Sequence, residues 1–158
     1  MISSQVLKKF RLFAGLDDSK LAKLAELCHE RTLEDGQLCF SQGNKSTDLH
    51  LCRNGNVEIV VRINEPWGME VTVHTAKTGE IFGWSALVEP YVYTASAKCV
   101  GKVDEICING VDLLKLFESD TLIGYLVMKN LNALVSSRLT ESRSKLTKEI
   151  AASINKDW

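Results

Sequence analysis

The chain has 158 residues, 45% of them hydrophobic and 25% charged, with a formal net charge of -1. That length supports one domain with its own core, and the near-neutral balance excludes a globally basic surface of the kind that holds nucleic acid. No apolar run approaches the roughly 18–20 residues of a membrane span, and Met1, Ile2, Ser3, Ser4 and Gln5 do not begin as a signal peptide does.

Val6, Leu7, Phe10 and Leu12 recur at helical spacing behind Ser3 and Ser4, which predicts a helix over 3–12 that Gly15 ends. Asp17, Asp18 and Ser19 open a second helix. Its apolar side carries Leu21, Leu24, Ala25, Leu27 and Cys28, and its solvated face Lys20, Lys23, Glu26 and Glu30. From Arg31 the period changes. Glu34, Asp35 and Gly36 make a turn, Leu38, Cys39 and Phe40 a short strand, and Gln42, Gly43, Asn44 and Lys45 another turn. Leu49 and Leu51 alternate with His50 and Cys52, and Asn54-Gly55 then reads as a hairpin turn between strands. Val57, Ile59, Val61 and Ile63 alternate with polar positions as a half-buried strand does. Asn64, Glu65, Pro66, Trp67 and Gly68 form a loop, and Met69, Val71 and Val73 the returning strand.

Residues 79–97 are the stretch around which the remaining elements are arranged. Gly83 permits a tight turn, Trp84, Ser85, Ala86 and Leu87 make one helical turn, and Pro90 stops it. The small residues Thr94, Ala95, Ser96 and Ala97 resume a strand, and residues 95–100 and 103–108 read as a hairpin around Gly101. Short strands with regular turn punctuation point to a β-sandwich or barrel. Val111, Leu113, Leu114, Leu116 and Phe117 then form a short helix, and Ser119 and Asp120 cap another. Between Leu122 and Ile154 there is no Pro, and Ile123, Leu126, Val127, Leu131, Leu134, Val135, Leu139, Leu146 and Ile150 keep helical spacing. A helix of about thirty residues runs about 45 Å, longer than a small β-domain, so its later part is exposed or meets a partner. The chain thus divides into N-terminal helices over 1–30, a β-barrel over 31–108 and C-terminal helices over 109–158, all in one domain.

The order of these elements and several local motifs resemble the cyclic nucleotide-binding domain, as in catabolite-activator-type regulators and the regulatory subunits of cAMP-dependent kinase. The resemblance runs through Leu12, Phe13, Ala14, Gly15 and Leu16, then Glu34, Asp35 and Gly36, then Gln42-Gly43, then Asn54, Gly55, Asn56 and Val57, and ends on a phosphate-binding cassette over 82–97. It implies a mainly β fold, an eight-stranded jelly-roll barrel with flanking helices and a long C-terminal helix. In that family the short cassette helix donates amides to the cyclic phosphate, an Arg pairs with it, and a Glu after the Gly accepts from the ribose. Here Gly83, Ala86 and Leu87 match, but Trp84 stands at the Glu position, and Tyr93, or Val92 if the loop is one residue shorter, at the Arg position.

The ligand-binding candidates are therefore Gly83, Trp84, Ser85, Ala86, Tyr93 and Thr94, with Trp84 either facing a ligand or plugging the pocket. The expected function is a regulatory or sensor module that binds cAMP and cGMP weakly or not at all, or takes another small anionic ligand. The alternatives are a ligand-free dimerisation scaffold, or the effector part of a transcription regulator without its DNA-binding part. The tail helix is expected to pair with a second copy through Leu131, Leu134, Val135 and Leu139. Lys129, Arg138, Arg143, Lys145 and Lys148, interleaved with Glu141 and Glu149, read as a solvated face rather than a nucleic-acid surface. Ser85 lacks the strand–turn–helix of a nucleophile elbow, so no enzyme is expected. His29, His50 and His74 have no ligand spacing, so no metal or resident cofactor is expected. The five cysteines, Cys28, Cys39, Cys52, Cys99 and Cys107, have no C-x-x-C spacing and are expected to be reduced core thiols of a cytoplasmic protein.

Overall fold

The computed structural model of the chain describes residues 1–63 and 68–156. The loop expected at Asn64, Glu65, Pro66 and Trp67 lies outside the described residues. Two short helices, α1 (Ser4–Leu7) and α2 (Asp18–Ala25), flank a 3-10 turn over Arg11–Phe13. The helix expected over 3–12 is thus interrupted. Phe10 takes an extended backbone between α1 and the turn, and this break lets Leu7, Phe10, Leu12 and Phe13 all be buried. Asp17 caps α2 by accepting from the Lys20 amide at 2.9 Å. The second helix is also shorter than its apolar pattern suggests. It stops at Ala25, and Cys28 already belongs to β1 (Cys28–Leu33), where it pairs with Ile108. Glu30 is accordingly a strand residue, paired with Arg53 across the sheet.

The strands β2 (Leu38–Phe40), β3 (Asp48–Ile63), β4 (Met69–Lys77), β5 (Ile81–Phe82) and β6 (Ser96–Asn109) complete one antiparallel sheet in the order β1-β6-β3-β4, with β2 on β6 and β5 on β3. Neither expected hairpin is present. Asn54-Gly55 lies inside β3, and Gly101 lies inside β6. The pairing of β3 with β6 shifts register between Cys52 and Asn54 and again between Asn54 and Asn56, so Gly55 marks a bulge rather than a chain reversal. Its φ of 118°, and a Cβ position only 2.8 Å from the Lys102 carbonyl oxygen, require glycine there. Counted as two strands each at these glycine bends, β3 and β6 turn the six hydrogen-bonded strands into the eight of a jelly roll. The sequence signal was a local change of direction, and the long-range β3–β6 pairing made it a bend.

Inside the sheet, Leu33, Cys39, Cys52, Val57, Ala76, Phe82, Ala97, Cys99 and Val103 form one apolar cluster. A second and larger cluster joins the N-terminal helices to the other end of the sheet and to α3 (Gly110–Ser119) and α4 (Thr121–Lys156). All five cysteines are thiols, and the Cys39 and Cys99 sulfurs lie 3.7 Å apart. Burial raises the Cys28 thiol to about 12.

Asn109 caps α3 through the Asp112 amide at 3.1 Å. Asp120 begins α4 by accepting from the Ile123 amide, and it also bridges to Lys20 and Lys23 of α2. The Lys23 ammonium, with Lys20 and the Ile123 amide, outweighs desolvation and holds the Asp120 carboxyl at about 2. The 36 residues of α4 would extend about 54 Å. Its first turns are core. Ile123, Val127 and Leu131 are buried, Leu134 packs against the same cluster, and Asn130 donates to the Leu12 and Ala14 carbonyls at 3.0 Å. Leu131 and Leu134, two of the residues expected to pair with a second copy, thus pack in the chain's own core. Val135 and Leu139 are exposed, followed by Leu146, Ile150 and Ile154. No described helix is long and apolar enough to cross a membrane.

Candidate functional site

The cassette begins where β5 ends. Gly83 takes φ 72°, and a Cβ there would lie 2.8 Å from His50 Cδ2 and 3.0 Å from Phe40 Cε1. Only glycine lets the chain pass over these rings. Trp84–Leu87 then form the expected single turn, with the Ala86 amide held loosely by the Gly83 carbonyl at 3.4 Å. The far end of the cassette is clamped by the loop between β2 and β3. Gly43 donates to the Tyr93 carbonyl at 2.8 Å, Tyr93 to the Asn44 carbonyl at 2.9 Å, and Ser46 to the Tyr91 carbonyl at 2.7 Å.

That clamp sets the fate of Tyr93. Its ring is 4% exposed and stacks on Phe40 at 3.8 Å between centroids, nearly parallel. Its hydroxyl donates to the Asp48 carbonyl at 3.0 Å and lies 3.1 Å from His50 Nε2. The other ring nitrogen, His50 Nδ1, is 3.1 Å from Glu105 Oε2, and Arg31 Nε is 3.4 Å from Glu105 Oε1. A polar chain thus runs from the cassette through the sheet interior to the β1 edge. Burial pushes the Tyr93 phenol up. Burial also acts to raise Glu105, but the His50 hydrogen bond and charge and the Arg31 guanidinium outweigh it and hold the carboxyl below its usual range. The Cys107 thiol, 3.4 Å from Glu105 Oε1, is pushed up by desolvation first and by the carboxylate second.

The rest of the site is open on one side. Gly83, Trp84, Ser85, Tyr93 and Thr94 line a small cavity of about 100 Å³ together with Phe40, Ile59 and Arg138. Ala86 is not among them; it faces the opposite side, in a groove with Ser46, Tyr91 and Leu114. Trp84 is half-buried, and the Arg138 guanidinium of α4 lies 5.7 Å from its ring centroid. Arg138 Nη2 is 3.1 Å from Glu80 Oε1, and His74 Nε2 is 3.4 Å from the same oxygen. Desolvation and the Arg138 charge lower His74 despite Glu80. On the far side of the Trp84–Arg138 pair is a larger cleft of about 350 Å³, lined by Lys9, Arg11, Glu80 and Glu141.

Four participants escaped the sequence reading: Phe40, His50, Glu105 and Arg138. Arg138 had a readable signal, because Leu131, Leu134 and Arg138 follow the i, i+3, i+7 spacing of one helix face. The face that buries Leu131 also brings Arg138 over the cassette. Ser85 has no catalytic base within reach of the described hydrogen bonds, since His50 directs both ring nitrogens to Tyr93 and Glu105.

Comparison with known proteins agrees with this geometry. A family model described as the cyclic nucleotide-binding domain matches residues 30–120. The crystal structure of a candidate cyclic nucleotide-binding protein from Geobacter metallireducens is 34% identical, with a TM-score of 0.77 over 88% of this chain and 99% of that one. The catabolite activator protein of Thermus thermophilus is 28% identical, with a TM-score of 0.73 over 87% of this chain and 62% of that one. Among curated proteins, a potassium channel of Arabidopsis thaliana, AKT6, is 26% identical over 129 residues, which are 80% of this chain and 14% of the channel. The chain spans 32% of the length of one curated relative that it matches and 14% of another.

Proposed function

Since the chain belongs to the cyclic nucleotide-binding domain family, whose members are regulatory ligand-binding domains, we propose that it is a regulatory module that takes cAMP and cGMP weakly or not at all and keeps its cassette pocket for a smaller anion. The observation that carries this reading is Tyr93. The position where the family resemblance expects a phosphate-binding cation holds a phenol stacked on Phe40 and hydrogen-bonded inward. A charge-assisted hydrogen bond contributes about 1.5–3 kcal/mol. Losing the cation at Tyr93 and the acceptor at Trp84 weakens a cyclic nucleotide by about two to four orders of magnitude. Size acts in the same direction. Pockets for drug-sized ligands hold about 300–1,000 Å³, and the space between Trp84, Tyr93 and Arg138 is about 100 Å³.

Arg138 supplies the one positive charge that lines this pocket among the described residues, and it comes from α4 instead of the cassette. A bound anion competes with Glu80 for that guanidinium, so ligand and helix are coupled through one side chain. Calorimetry of the intact chain with cAMP, cGMP and inorganic phosphate tests the reading. The expected result is no saturable heat from either nucleotide at micromolar concentration, and phosphate binding that Arg138→Gln weakens. Micromolar binding of a cyclic nucleotide by the unmodified chain overturns it. Silence from all three ligands replaces it with the ligand-free scaffold.

The partner is read as a second copy of the chain. Val135, Leu139, Leu146 and Ile150 form an exposed apolar series on the part of α4 beyond the core, with spacing near that of a two-stranded seam. Leu139→Asp leaves the folded domain intact and dissociates the dimer in sedimentation. A wild-type chain that sediments as a monomer at tens of micromolar ends this reading.

A further inference from the structure

Strand pairing brings together three donors that stand far apart in sequence. His50 on β3 lies directly opposite Cys107 on β6, and Glu105 is two residues away on the same face of the sheet. All three side chains are buried, and one ligand atom from each lies within 4.8 Å of the other two. The separations are 3.1 Å from His50 Nδ1 to Glu105 Oε2, 3.6 Å from Cys107 Sγ to His50 Nδ1, and 3.4 Å from Cys107 Sγ to Glu105 Oε1. A tetrahedral centre with bonds of about 2.0–2.1 Å to nitrogen, 2.0–2.2 Å to oxygen and 2.3 Å to sulfur sets its ligand atoms about 3.3–3.6 Å apart. The three side chains stand near that spacing, with the carboxylate turning Oε2 to His50 and Oε1 to Cys107, and one ligand atom of each lies within 4.8 Å of the others.

The proton count of the neighbouring phenol gives a second and independent reason. Tyr93 has one hydroxyl hydrogen, and it points to the Asp48 carbonyl at 3.0 Å. His50 Nε2, at 3.1 Å from the same hydroxyl oxygen, must then be the donor of that pair. This leaves Nδ1 turned toward a carboxylate and a thiol sulfur. A carboxylate buried there needs a positive centre beside it, either a proton on Nδ1 or a bound cation, because in a dry interior its charge is screened little. We propose that His50 Nδ1, Glu105 and Cys107 form a binding site for a divalent cation of the zinc type. One thiolate and one carboxylate neutralise a divalent charge, which suits a site away from water. Tyr93 fixes the imidazole tautomer, and Arg31 orients the carboxylate from outside, as supporting partners of metal ligands do.

Cobalt(II) is the probe, since it takes zinc geometry and its bond to a thiolate absorbs in the near ultraviolet. The full chain is refolded in Co²⁺, because the donors are sealed in the fold, and passed through a sizing column. The expected result is one retained equivalent of cobalt, a thiolate band, and X-ray absorption showing a single sulfur neighbour. Cys107→Ser removes the band, and Glu105→Gln weakens retention by about 10-fold or more. No retained cobalt in the wild-type chain, a sulfur count other than one, or a band that survives Cys107→Ser overturns the proposal. The wild-type measurements decide the matter even where a variant does not refold, and none of them depends on what the cassette binds.

Discussion

Tyr93 and Trp84 stand at the two ends of the same cassette, and each occupies a position where the family resemblance expects a charged ligand contact. Their surroundings differ. Tyr93 is clamped by backbone hydrogen bonds on both sides, stacked on Phe40 and joined to a buried polar chain. Trp84 is half-buried on a short turn, and its outer partner is a side chain from another element, Arg138. At one end the ligand contact has been replaced by core. At the other stands a half-buried cation–aromatic pair that lines the pocket. The two substitutions remove comparable charges, yet only one of them also removes space.

The largest effect that tests this difference is a charge placed at each end. Tyr93→Arg puts a guanidinium where a buried phenol is stacked on Phe40, and an uncompensated buried charge costs about 3–5 kcal/mol. Trp84→Arg puts the same group at a half-exposed rim, where the expected loss is about 1 kcal/mol or less. Urea unfolding of both variants measures the gap. Equal stabilities would show that the Tyr93 end is as open as the Trp84 end, and the restored cation would then be expected to bind cAMP.

An intermediate effect isolates the hydroxyl. Tyr93→Phe keeps the stack on Phe40 and leaves the Asp48 carbonyl and His50 Nε2 facing carbon. Leaving buried polar groups unpaired costs about 1–3 kcal/mol. Stability unchanged by this substitution would mean that the ring, and not the polar chain behind it, holds the cassette in place.

The same contrast explains which parts of the molecule were legible in the sequence. Local signals survived. The Gly83 turn, the single turn after it, the Asp17 and Asp120 caps and the length of α4 all come from residues near one another in the chain. What failed was set by long-range pairing. Asn54-Gly55 and Gly101 carry hairpin chemistry, but β3 and β6 pair along most of their length and convert both reversals into bends. The polar chain behind Tyr93 was invisible for the same reason. Nothing local links His50 to Glu105, and only the register of two strands brings them to 3.1 Å. Arg138 was legible in principle. Its charge placed it on the solvated face of α4, while its spacing from Leu131 and Leu134 placed it on the inner one. Spacing was the better guide, because an arginine stem packs along apolar surface and keeps its head group polar.

The smallest effect concerns that arginine and the tryptophan beneath it. A cation over an aromatic face contributes about 0.5–1 kcal/mol at a partly exposed site, and an ion pair such as Arg138 with Glu80 contributes about 0–1 kcal/mol. Arg138→Gln alone is therefore expected to shift stability by about 0.5–2 kcal/mol, and much of a change that size can arise from either contact. A double-mutant cycle with Trp84→Ala separates them. If Arg138 is held chiefly by the ring, the two losses fall short of additivity by about 0.5–1 kcal/mol. Strict additivity would mean that Glu80 alone holds the guanidinium. Trp84 would then be a passive lid, and an anion entering the pocket would need to displace a single salt bridge to recruit Arg138. Coupling of the expected size makes the ring part of the latch, so that a ligand drawing Arg138 inward must also disturb Trp84. Arg138 is carried by α4, so under the proposed reading an anion that recruits it would act on the same helix that bears the exposed apolar series.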